Sequence, residues 1–347
     1  MTTLDQFIAG LPKAELHVHQ VGSASPSIVA ELAARYEGET RVPADPELLA
    51  GYFTFTDFAH FVDVYLSVVD LIRDPQDVWT LTYEVAAELA RQQVRYAELT
   101  LTPYTSMVRG IATEAFCEAA EDARVRAAAD HGIDLAWCFD IPGESGLEAA
   151  DVTLDAALRV RPEGLVNFGL GGPEIGVPRP QFAPHFAQAR AAGLHSVPHA
   201  GESTGPETIW DSINHLSAER IGHGIAAAND PALMAYLAEH GIPLEICPTS
   251  NVRTRSVPSL EEHPLATLVA NGVAVSINSD DPPMFSTTLN EEYGVAANLL
   301  GLENAGVADL ARGAVSQSFL DEAGKARIVA EIDEHLAAQG PPERLFS

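Results

Sequence analysis

Short apolar runs and longer amphipathic segments alternate along most of this chain. Runs of about 4–8 apolar residues bounded by Gly, Pro or Asp are typical of buried strands, whereas apolar positions three or four apart are typical of helices. Strands are predicted at residues 15–19, 94–101, 135–141, 165–170, 194–199, 220–223, 243–247 and 273–278. A predicted helix follows each strand, and strands that alternate with helices form parallel sheets.

Eight strands in one unbroken series predict a (β/α)8 barrel of the TIM type. Extra predicted helices between residues 25 and 93 form an insertion after the first strand, and helices from residue 290 onward close the C-terminal end. No linker or shift in composition divides the chain, so we expect one domain over residues 1–347. The alternative is a doubly wound open sheet, but Gly169-Leu-Gly171-Gly172 is not the G-x-G-x-x-G loop of its dinucleotide-binding members.

Helix starts are predicted from local signals. Ser145 with Glu148 and Ser259 with Glu262 have the spacing of capping boxes, so each serine is predicted to cap a helix, the second over residues 259–270. Residues 38–46 are predicted to form a loop.

Composition excludes several classes of partner. The chain has 347 residues, of which 46% are hydrophobic, and its net charge is −29. Such a surface repels nucleic-acid phosphates and anionic lipid heads, so we expect neither nucleic acid nor membrane as a partner. No apolar run approaches the roughly 18–20 residues of a membrane span, and the first ten residues lack the pattern of a secretory signal.

The cysteines also bear on location. Cys117, Cys138 and Cys247 are scattered and form neither a disulfide framework nor a Cys-x-x-Cys metal knuckle. They are interpreted as small buried residues of a reducing compartment, so we expect a cytoplasmic protein. The sequence leaves the oligomeric state open, a homo-oligomer included.

Histidine and carboxylate side chains recur where the predicted strands end. The first strand ends in His17 and His19, and side chains two apart in a strand point to the same face, so both imidazoles would converge. Active-site residues of such barrels lie at these carboxyl-terminal strand ends. Three further ends carry similar residues: His199-Ala-Gly-Glu202, Gly222-His223-Gly224 and Asn278-Ser-Asp280-Asp281. Together they predict a metal site, since imidazole and carboxylate are common ligands of divalent metals.

The same residue types taken singly have a simpler interpretation. A lone histidine at a strand end is typical of a hydrogen-bonded structural residue, and Asp280-Asp281 alone could cap a helix. Eight other histidines lie on predicted helices, in loops or early in a strand, and we assign them structural or solvated roles: His60, His131, His185, His195, His215, His240, His263 and His335.

These four motifs, in this order, resemble those of the adenosine and adenine deaminases of the amidohydrolase superfamily. The resemblance covers nearly the whole chain and implies hydrolytic removal of the 6-amino group of a purine, with release of ammonia. It implies that one zinc ion is bound by four residues: His17, His19, His199 and Asp280. It further implies that Glu202 protonates a ring nitrogen, that His223 orients a zinc-bound hydroxide, and that His19, Gly172 and Asp281 contact the purine nucleoside.

Elementary chemistry agrees with these expected roles. A bound metal lowers the pKa of water from 15.7 to about 7, which provides hydroxide at neutral pH. Attack at C6 of an aminopurine builds negative charge on the ring, and Glu202, three residues beyond a candidate ligand, could deliver the proton. The His-x-Glu and Pro-Cys-x-x-Cys signature of the base-editing zinc deaminases is missing.

One departure from the family pattern bears on the substrate. After His-x-His, adenosine deaminases continue with an aspartate that binds the ribose 5′-hydroxyl, whereas this chain has Gln20-Val21-Gly22. Valine cannot accept a hydrogen bond, and burying an unpaired hydroxyl is costly. Val21 therefore indicates a nucleoside with a bulky apolar group at the 5′ position.

The wider sequence resembles the 6-aminodeoxyfutalosine deaminase branch, which implies a role in menaquinone biosynthesis. The substrate of that branch carries an aryl ketone with a carboxylate. Aromatic residues of the insertion could line this arm: Phe53, Phe55, Phe58 and Phe61. Arg179, Arg253 and Arg255 are candidate partners of the carboxylate.

Other functions stay open on the sequence alone. Adenosine or adenine deamination keeps the chemistry and changes the substrate. A different metal hydrolase, such as a two-metal phosphoesterase, would need a bridging ligand, and the fourth strand end, Gly-Leu-Gly-Gly-Pro, supplies none. A non-catalytic barrel would have lost a ligand or the acid, and none is lost. Sequence does not decide zinc over iron or manganese.

Overall fold

Eight parallel strands form the centre of the molecule. The computed structural model describes residues 3–54 and 58–338, without the side chains of residues 50, 58, 59, 61 and 62. The strands are β1 (Lys13–His19), β2 (Val94–Leu101), β3 (Asp134–Pro142), β4 (Leu165–Gly171), β5 (His195–Ala200), β6 (Ile221–His223), β7 (Leu244–Ile246) and β8 (Val275–Ile277). They pair in sequence order from β1 to β8. All eight predicted strands are present, with ends that differ from the prediction by two residues or fewer.

Helices surround this sheet. Those before β5 are α1 (Thr3–Gly10), α2 (Pro26–Arg35), α3 (Pro46–Tyr52), α4 (Phe58–Val69), α5 (Pro75–Arg91), α6 (Pro103–Met107), α7 (Thr113–His131), α8 (Gly146–Asp155) and α9 (Ala183–Ala191). Those after β5 are α10 (Pro206–Leu216), α11 (Pro231–His240), α12 (Pro248–Arg253), α13 (Leu265–Ala270), α14 (Pro282–Phe285), α15 (Leu289–Leu300), α16 (Asn304–Gln317) and α17 (Glu322–Ala338). Helices α2 to α4 form most of the predicted insertion, and α15 to α17 are the predicted C-terminal helices.

The sheet closes where the chain beyond β8 meets β1. The amide of His19 donates to the carbonyl of Asp280 at 3.0 Å, and the amide of Asp280 donates to the carbonyl of His17 at 3.1 Å. The side-chain oxygen of Asn278 accepts from the amides of Leu16 and His17 at 2.8 and 3.2 Å. The structure is therefore the predicted (β/α)8 barrel, and the open-sheet alternative is wrong.

Both predicted serine caps are wrong, although the helix predicted after Ser145 does begin at Gly146. Neither Ser145 nor Ser259 caps a helix with its side chain. Ser145 already has helical dihedral angles, which a capping residue does not adopt. After Ser259 the chain makes one 3-10 turn, and the helix begins only at Leu265, because Pro264 disfavours helical geometry at the residue before it. The region predicted as a loop up to residue 46 is followed by α3, which the sequence reasoning missed.

A buried charge cluster fills the interior of the barrel. The guanidinium of Arg220, on the chain entering β6, donates to Glu245 of β7 at 2.6 Å and also pairs with Glu98 of β2. The side-chain amide of Asn167, on β4, donates to Glu98, as does the hydroxyl of Tyr96 at 3.0 Å. Buried charges persist only when they are paired, so this network ties four strands together around one arginine.

No helix within residues 3–54 and 58–338 is both long and apolar enough to cross a membrane.

Removing the central arginine should destabilise the barrel. We expect Arg220→Met to cost about 3–5 kcal/mol of folding free energy, because two buried carboxylates lose their counter-charge. Thermal and denaturant unfolding would measure the loss. The matched control is Arg312→Met, whose partners Asp309 and Asp333 are exposed, with an expected cost of about 0–1 kcal/mol. Equal losses in the two variants would contradict the assignment.

Candidate active site

The predicted histidines and Asp280 meet at the carboxyl-terminal end of the barrel. His19 Nε2 lies 3.2 Å from Asp280 Oδ1, and His17 Nε2 lies 3.6 Å from the same oxygen. His199 Nε2, from β5, lies 3.3 Å from His19 Nε2. Tetrahedral donors about 2.1 Å from a central ion would be about 3.4 Å apart, so these separations fit a shared metal.

Two further residues lie close to this cluster. Two sets of three have donor atoms within 4.8 Å of one another: His17, His199 and His223, and His17, Cys247 and Asp280. His17 belongs to both sets and therefore lies at the centre. Burial raises the pKa of Cys247 well above its usual value, which keeps it a thiol and disfavours it as a ligand.

His17 and Asp280 are each oriented by a hydrogen-bond partner, a carboxylate for His17 and a hydroxyl for Asp280. His17 Nδ1 lies 2.8 Å from Glu245 Oε2, so the ring donates its Nδ1 proton there and its Nε2 lone pair faces the cluster. That buried Nε2 atom has no hydrogen-bond partner among the described residues. The hydroxyl of Ser250 donates to Asp280 Oδ2 at 2.6 Å, which leaves Oδ1 facing His17 and His19. An unpartnered buried nitrogen beside an oriented carboxylate oxygen fits a cation.

The electrostatic potential at the cluster is negative. Burial lowers the pKa of His17, but the nearby carboxylates of Asp280 and Glu245 outweigh burial and raise it to about 10. Burial likewise opposes the charge of His19, while Asp280 and Asp281 raise its pKa to about 9. The arrangement therefore stabilises positive charge at this position.

Two residues with left-handed backbone and one glycine make room for the cluster. His223 and Asp280 have φ angles of 58° and 66°, in the left-handed region that non-glycine residues rarely adopt. A Cβ at Gly222 would lie 2.9 Å from His17 Cε1 and 3.2 Å from His199 Cγ. Glycine is therefore required beneath the two imidazoles.

Glu202 lies on the loop after β5, and a buried carboxylate holds that loop. Glu174 Oε2 accepts the amides of Glu202, Ser203 and Thr204 at 2.9, 2.6 and 3.1 Å, while its Oε1 accepts the amide of Gly201 at 2.6 Å. Four backbone donors on one carboxylate fix the loop relative to β4.

The side chain of Glu202 points toward the cluster. Its Oε1 accepts from the Thr254 hydroxyl at 3.0 Å, and its Oε2 lies 3.6 Å from His223 Nε2. Thr254 follows helix α12, which also carries Ser250, so one short segment after β7 contacts both Glu202 and Asp280. The predicted acid is therefore close to the candidate ligands.

Gly172 and Asp281 lie on the two sides of the same mouth. Gly172 has a φ of 78°, and a Cβ there would lie 2.2 Å from Glu144 Oε2. The side chain of Asp281 packs against Gly22, whose Cβ would lie 1.4 Å from Asp281 Oδ1. Asp281 Oδ1 is buried without a partner among the described residues, and burial together with Asp280 raises the pKa of Asp281 to about 7. An unpartnered buried oxygen at the mouth is suited to contact a ligand.

One candidate for the carboxylate of a substrate arm is wrong. Arg179 is fully buried, and its guanidinium donates to the carbonyls of Val177 and His199 at 2.9 and 3.1 Å and pairs with Glu174 at 3.5 Å. It supports the loop and is not available to a ligand.

The other candidates for the arm have different surroundings. Arg253 and Arg255 are exposed, flank Thr254 and have no ion-pair partner among the described residues. Phe53 is buried in the core, as expected of packing. Phe55 lies outside the described residues, as do the side chains of Phe58 and Phe61.

Several residues around the site were missed by sequence reasoning. They are polar side chains that hold the predicted ones: Glu174, Glu245, Ser250, Asn251, Thr254 and His263. The available signal was position, since four of them lie in or just after β7, next to a strand end already suspected.

Comparison with known proteins assigns the family. The adenosine deaminase family profile matches residues 12–335. The chain belongs to the adenosine deaminase family. It is therefore a hydrolase of the deaminase type.

Relatives and solved structures within this group are similar over nearly their whole length. An aminodeoxyfutalosine deaminase of Streptomyces avermitilis is 67% identical over 96% of this chain and 94% of its own. The crystal structure of an adenine deaminase from Arthrobacter aurescens is 30% identical, with a TM-score of 0.88 over 94% of this chain and 99% of that one. An amidohydrolase from Burkholderia ambifaria, solved with bound Zn, is 25% identical, with a TM-score of 0.86 over 97% and 96%.

The loop of this deaminase that carries Glu202 should depend on Glu174. We expect Glu174→Gln to speed amide hydrogen exchange at residues 201–204 about tenfold, because a neutral amide accepts weaker hydrogen bonds than a carboxylate. Exchange followed by mass spectrometry would measure it. The matched control, Glu207→Gln, weakens in the same way the acceptor of the Gly205 amide alone. Unchanged exchange in Glu174→Gln would contradict the role.

Proposed function

We propose that this chain deaminates 6-aminodeoxyfutalosine by hydrolysis of its 6-amino group, on the route to menaquinone. The observation that carries the reaction type is the convergence of His17, His19, His199 and Asp280 with Glu202 at one end of the barrel. The 67% identical relative named for this substrate supports the choice of nucleoside.

We infer that His17, His19, His199 and Asp280 hold one zinc ion. The unpartnered Nε2 of His17 and the donor separations of 3.2 to 3.6 Å support this set. When bound, such an ion lowers the pKa of a water molecule to about 7 and so supplies the nucleophile. Glu245 and Ser250 orient two of the four ligands from behind, which is the usual arrangement around a catalytic metal.

Glu202 and His223 act on the reacting groups in this proposal. Attack at C6 places negative charge on the adjacent ring nitrogen, and Glu202 holds a proton at that atom. Thr254 and Glu174 fix the side chain and the backbone of Glu202, so the proton is delivered from one position. His223 Nε2 lies between Glu202 and Asp280, at 3.6 and 3.8 Å, where it orients the attacking oxygen.

The purine is held from both sides of the mouth. The backbone of Gly172, which directly follows β4, contacts the ring in this proposal. Asp281, whose pKa is raised to about 7, donates in its protonated form from the unpartnered Oδ1 to a ring nitrogen, which can only accept. The imidazole of His19, at the end of β1, contacts the substrate. Together these contacts orient C6 toward the ligand cluster.

Val21 supports a 5′-modified nucleoside over plain adenosine. It is half-buried two residues beyond the end of β1 and packs against the core, so a free 5′-hydroxyl would meet an apolar surface. Losing a hydrogen bond from a buried hydroxyl costs about 1–3 kcal/mol, whereas an apolar 5′ substituent pays no such cost.

Metal content tests the ligand set. We expect the purified protein to contain one zinc per chain, and expect His199→Ala and Asp280→Ala to bind substantially less, because each loses one of four donors. Plasma emission spectroscopy after dialysis would measure this. The matched control is His195→Gln, at the opposite end of β5, where the side chain contacts Glu219 and Phe319.

Two outcomes of the metal measurement would contradict the proposal. Two metal ions per chain would favour the phosphoesterase alternative. Full metal content in both ligand variants would mean that other residues hold the ion.

A substrate panel tests the nucleoside. Ammonia release would be compared for 6-aminodeoxyfutalosine, 5′-methylthioadenosine, adenosine and adenine. We expect adenosine to be the poorer nucleoside, and expect Val21→Asp to raise its kcat/KM about tenfold because a carboxylate accepts the 5′-hydroxyl. Val21→Ile is the apolar control and should keep the wild-type preference. Equal turnover of adenosine or adenine would instead support a purine salvage deaminase.

A further inference from the structure

A buried row of hydrogen bonds runs from the backbone to His223. The amide of Leu265 donates to His263 Nδ1 at 3.1 Å, and His263 Nε2 lies 3.2 Å from Asn251 Oδ1. The side-chain nitrogen of Asn251 lies 3.1 Å from His223 Nδ1. All three side chains are buried, with exposed fractions of 6%, 0% and 1% from His263 to His223. Water therefore does not substitute for any link in the row.

The first hydrogen bond of the row, from the Leu265 amide, fixes which atom donates in each later one. A backbone amide can only donate, so His263 Nδ1 must accept and carries no proton. A neutral His263 then bears its proton on Nε2 and donates to Asn251 Oδ1. The amide group of Asn251 consequently presents its nitrogen to His223, whose Nδ1 must accept. The proton of neutral His223 is therefore on Nε2.

Burial keeps His263 in this neutral state near pH 7. Removal from water lowers the pKa of His263 to about 4, so the ring is neutral and can accept from Leu265. The chain also keeps His263 out of a helix, because Pro264 follows it and α13 begins only at Leu265. Its ring is therefore free to bridge the start of α13 and helix α12.

We propose that Asn251 and His263 are positioning residues that hold His223 in the Nε2–H tautomer, so that His223 donates a hydrogen bond into the site. The Nε2 atom faces Glu202 Oε2 at 3.6 Å and Asp280 Oδ2 at 3.8 Å, and both oxygens are acceptors. A donor there orients the attacking oxygen and stabilises the negative charge that this oxygen gains when water loses its proton. Neutral His223 has no lone pair on Nε2, so it does not act as the base. This catalytic consequence rests on the proposed function, whereas the tautomer does not.

The contrast with His17 shows how the partner sets the role. His17 Nδ1 faces the carboxylate of Glu245, which can only accept, so Nδ1 carries the proton. His17 Nε2 then carries a lone pair suited to a metal. His223 Nδ1 faces an amide nitrogen, which can only donate. Two histidines whose ring centroids are 4.8 Å apart thus present opposite groups to the same site.

Nitrogen NMR of the metal-loaded enzyme tests the tautomer directly. With ¹⁵N-labelled histidine, the two ring nitrogens of a neutral imidazole differ in chemical shift according to which is protonated. The His223 signals are assigned by their loss in His223→Gln. We expect Nε2–H in the wild type. Asn251→Asp places an acceptor opposite Nδ1, so we expect the proton of His223 to move to Nδ1 in that variant.

Kinetics test the consequence for catalysis. We expect Asn251→Asp to lower kcat about 100-fold with KM changed by no more than about threefold, as for the loss of one transition-state donor. His263→Leu should lower kcat, while His263→Gln, which retains a donor for Asn251, should restore part of it. The control is His185→Gln, an equally buried histidine that pairs with Asp151 on the outside of the barrel. Thermal unfolding of each variant separates loss of catalysis from loss of folding.

The outcomes separate the two proposals. An Nδ1–H signal for wild-type His223, or an unmoved proton in folded Asn251→Asp, would overturn the positioning role. An unchanged kcat in a folded Asn251→Asp whose proton has moved would overturn its catalytic consequence. If no nucleoside of the panel is deaminated while His223 shows Nε2–H, the proposed function fails and the tautomer stands.

Discussion

Two backbone hydrogen bonds between the end of β1 and residue 280 hold both the barrel and its site together. They join His19 to Asp280 and Asp280 to His17, and they complete the circle of strands. The three residues that make these bonds also direct their side chains to one point. Closure of the barrel therefore also brings these three side chains together. The left-handed backbone of Asp280 is tolerated because its own amide and carbonyl are both held by this pairing.

Around that point lie buried carboxylates that are themselves held by ion pairs and hydrogen bonds. Glu245 is shared between His17 and Arg220, so the charge cluster inside the barrel also orients a candidate ligand. Glu174 is shared between Arg179 and four amides of the loop that carries Glu202. Each carboxylate thus links a stabilising ion pair to a functional side chain, which fixes geometry at a cost in desolvation.

The sequence predicted the barrel and the residues at its mouth because both follow from local periodicity. Side chains two apart in β1, and the shared carboxyl ends of parallel strands, are enough to bring His17, His19, His199 and Asp280 together. Their supporting partners were not predictable in this way. Glu245 lies 228 positions from His17 along the chain, and no local pattern marks such a pair.

Two wrong predictions also show that residue type and local spacing do not reveal the surroundings of a residue. Arg179 looked available because its residue type suits a carboxylate, but the fold places Glu174 and the carbonyl of His199 around it. Ser259 and Glu262 had the spacing of a capping box, but Pro264 decided the local backbone. In the first case tertiary contacts, and in the second a neighbouring proline, outweighed what residue type or spacing predicted. Reading the residues beside a motif is therefore as informative as the motif itself.

The same reasoning explains why residue type alone does not assign roles to histidines here. His17, His223 and His263 are all buried, and each has one ring nitrogen committed to a neighbour. A carboxylate neighbour forces a proton onto that nitrogen, whereas an amide N–H forces it onto the other. Because these neighbours are buried, water does not compete with them for the ring nitrogens. The partner of one ring nitrogen therefore decides whether the other ring nitrogen offers a proton or a lone pair to a substrate or a metal.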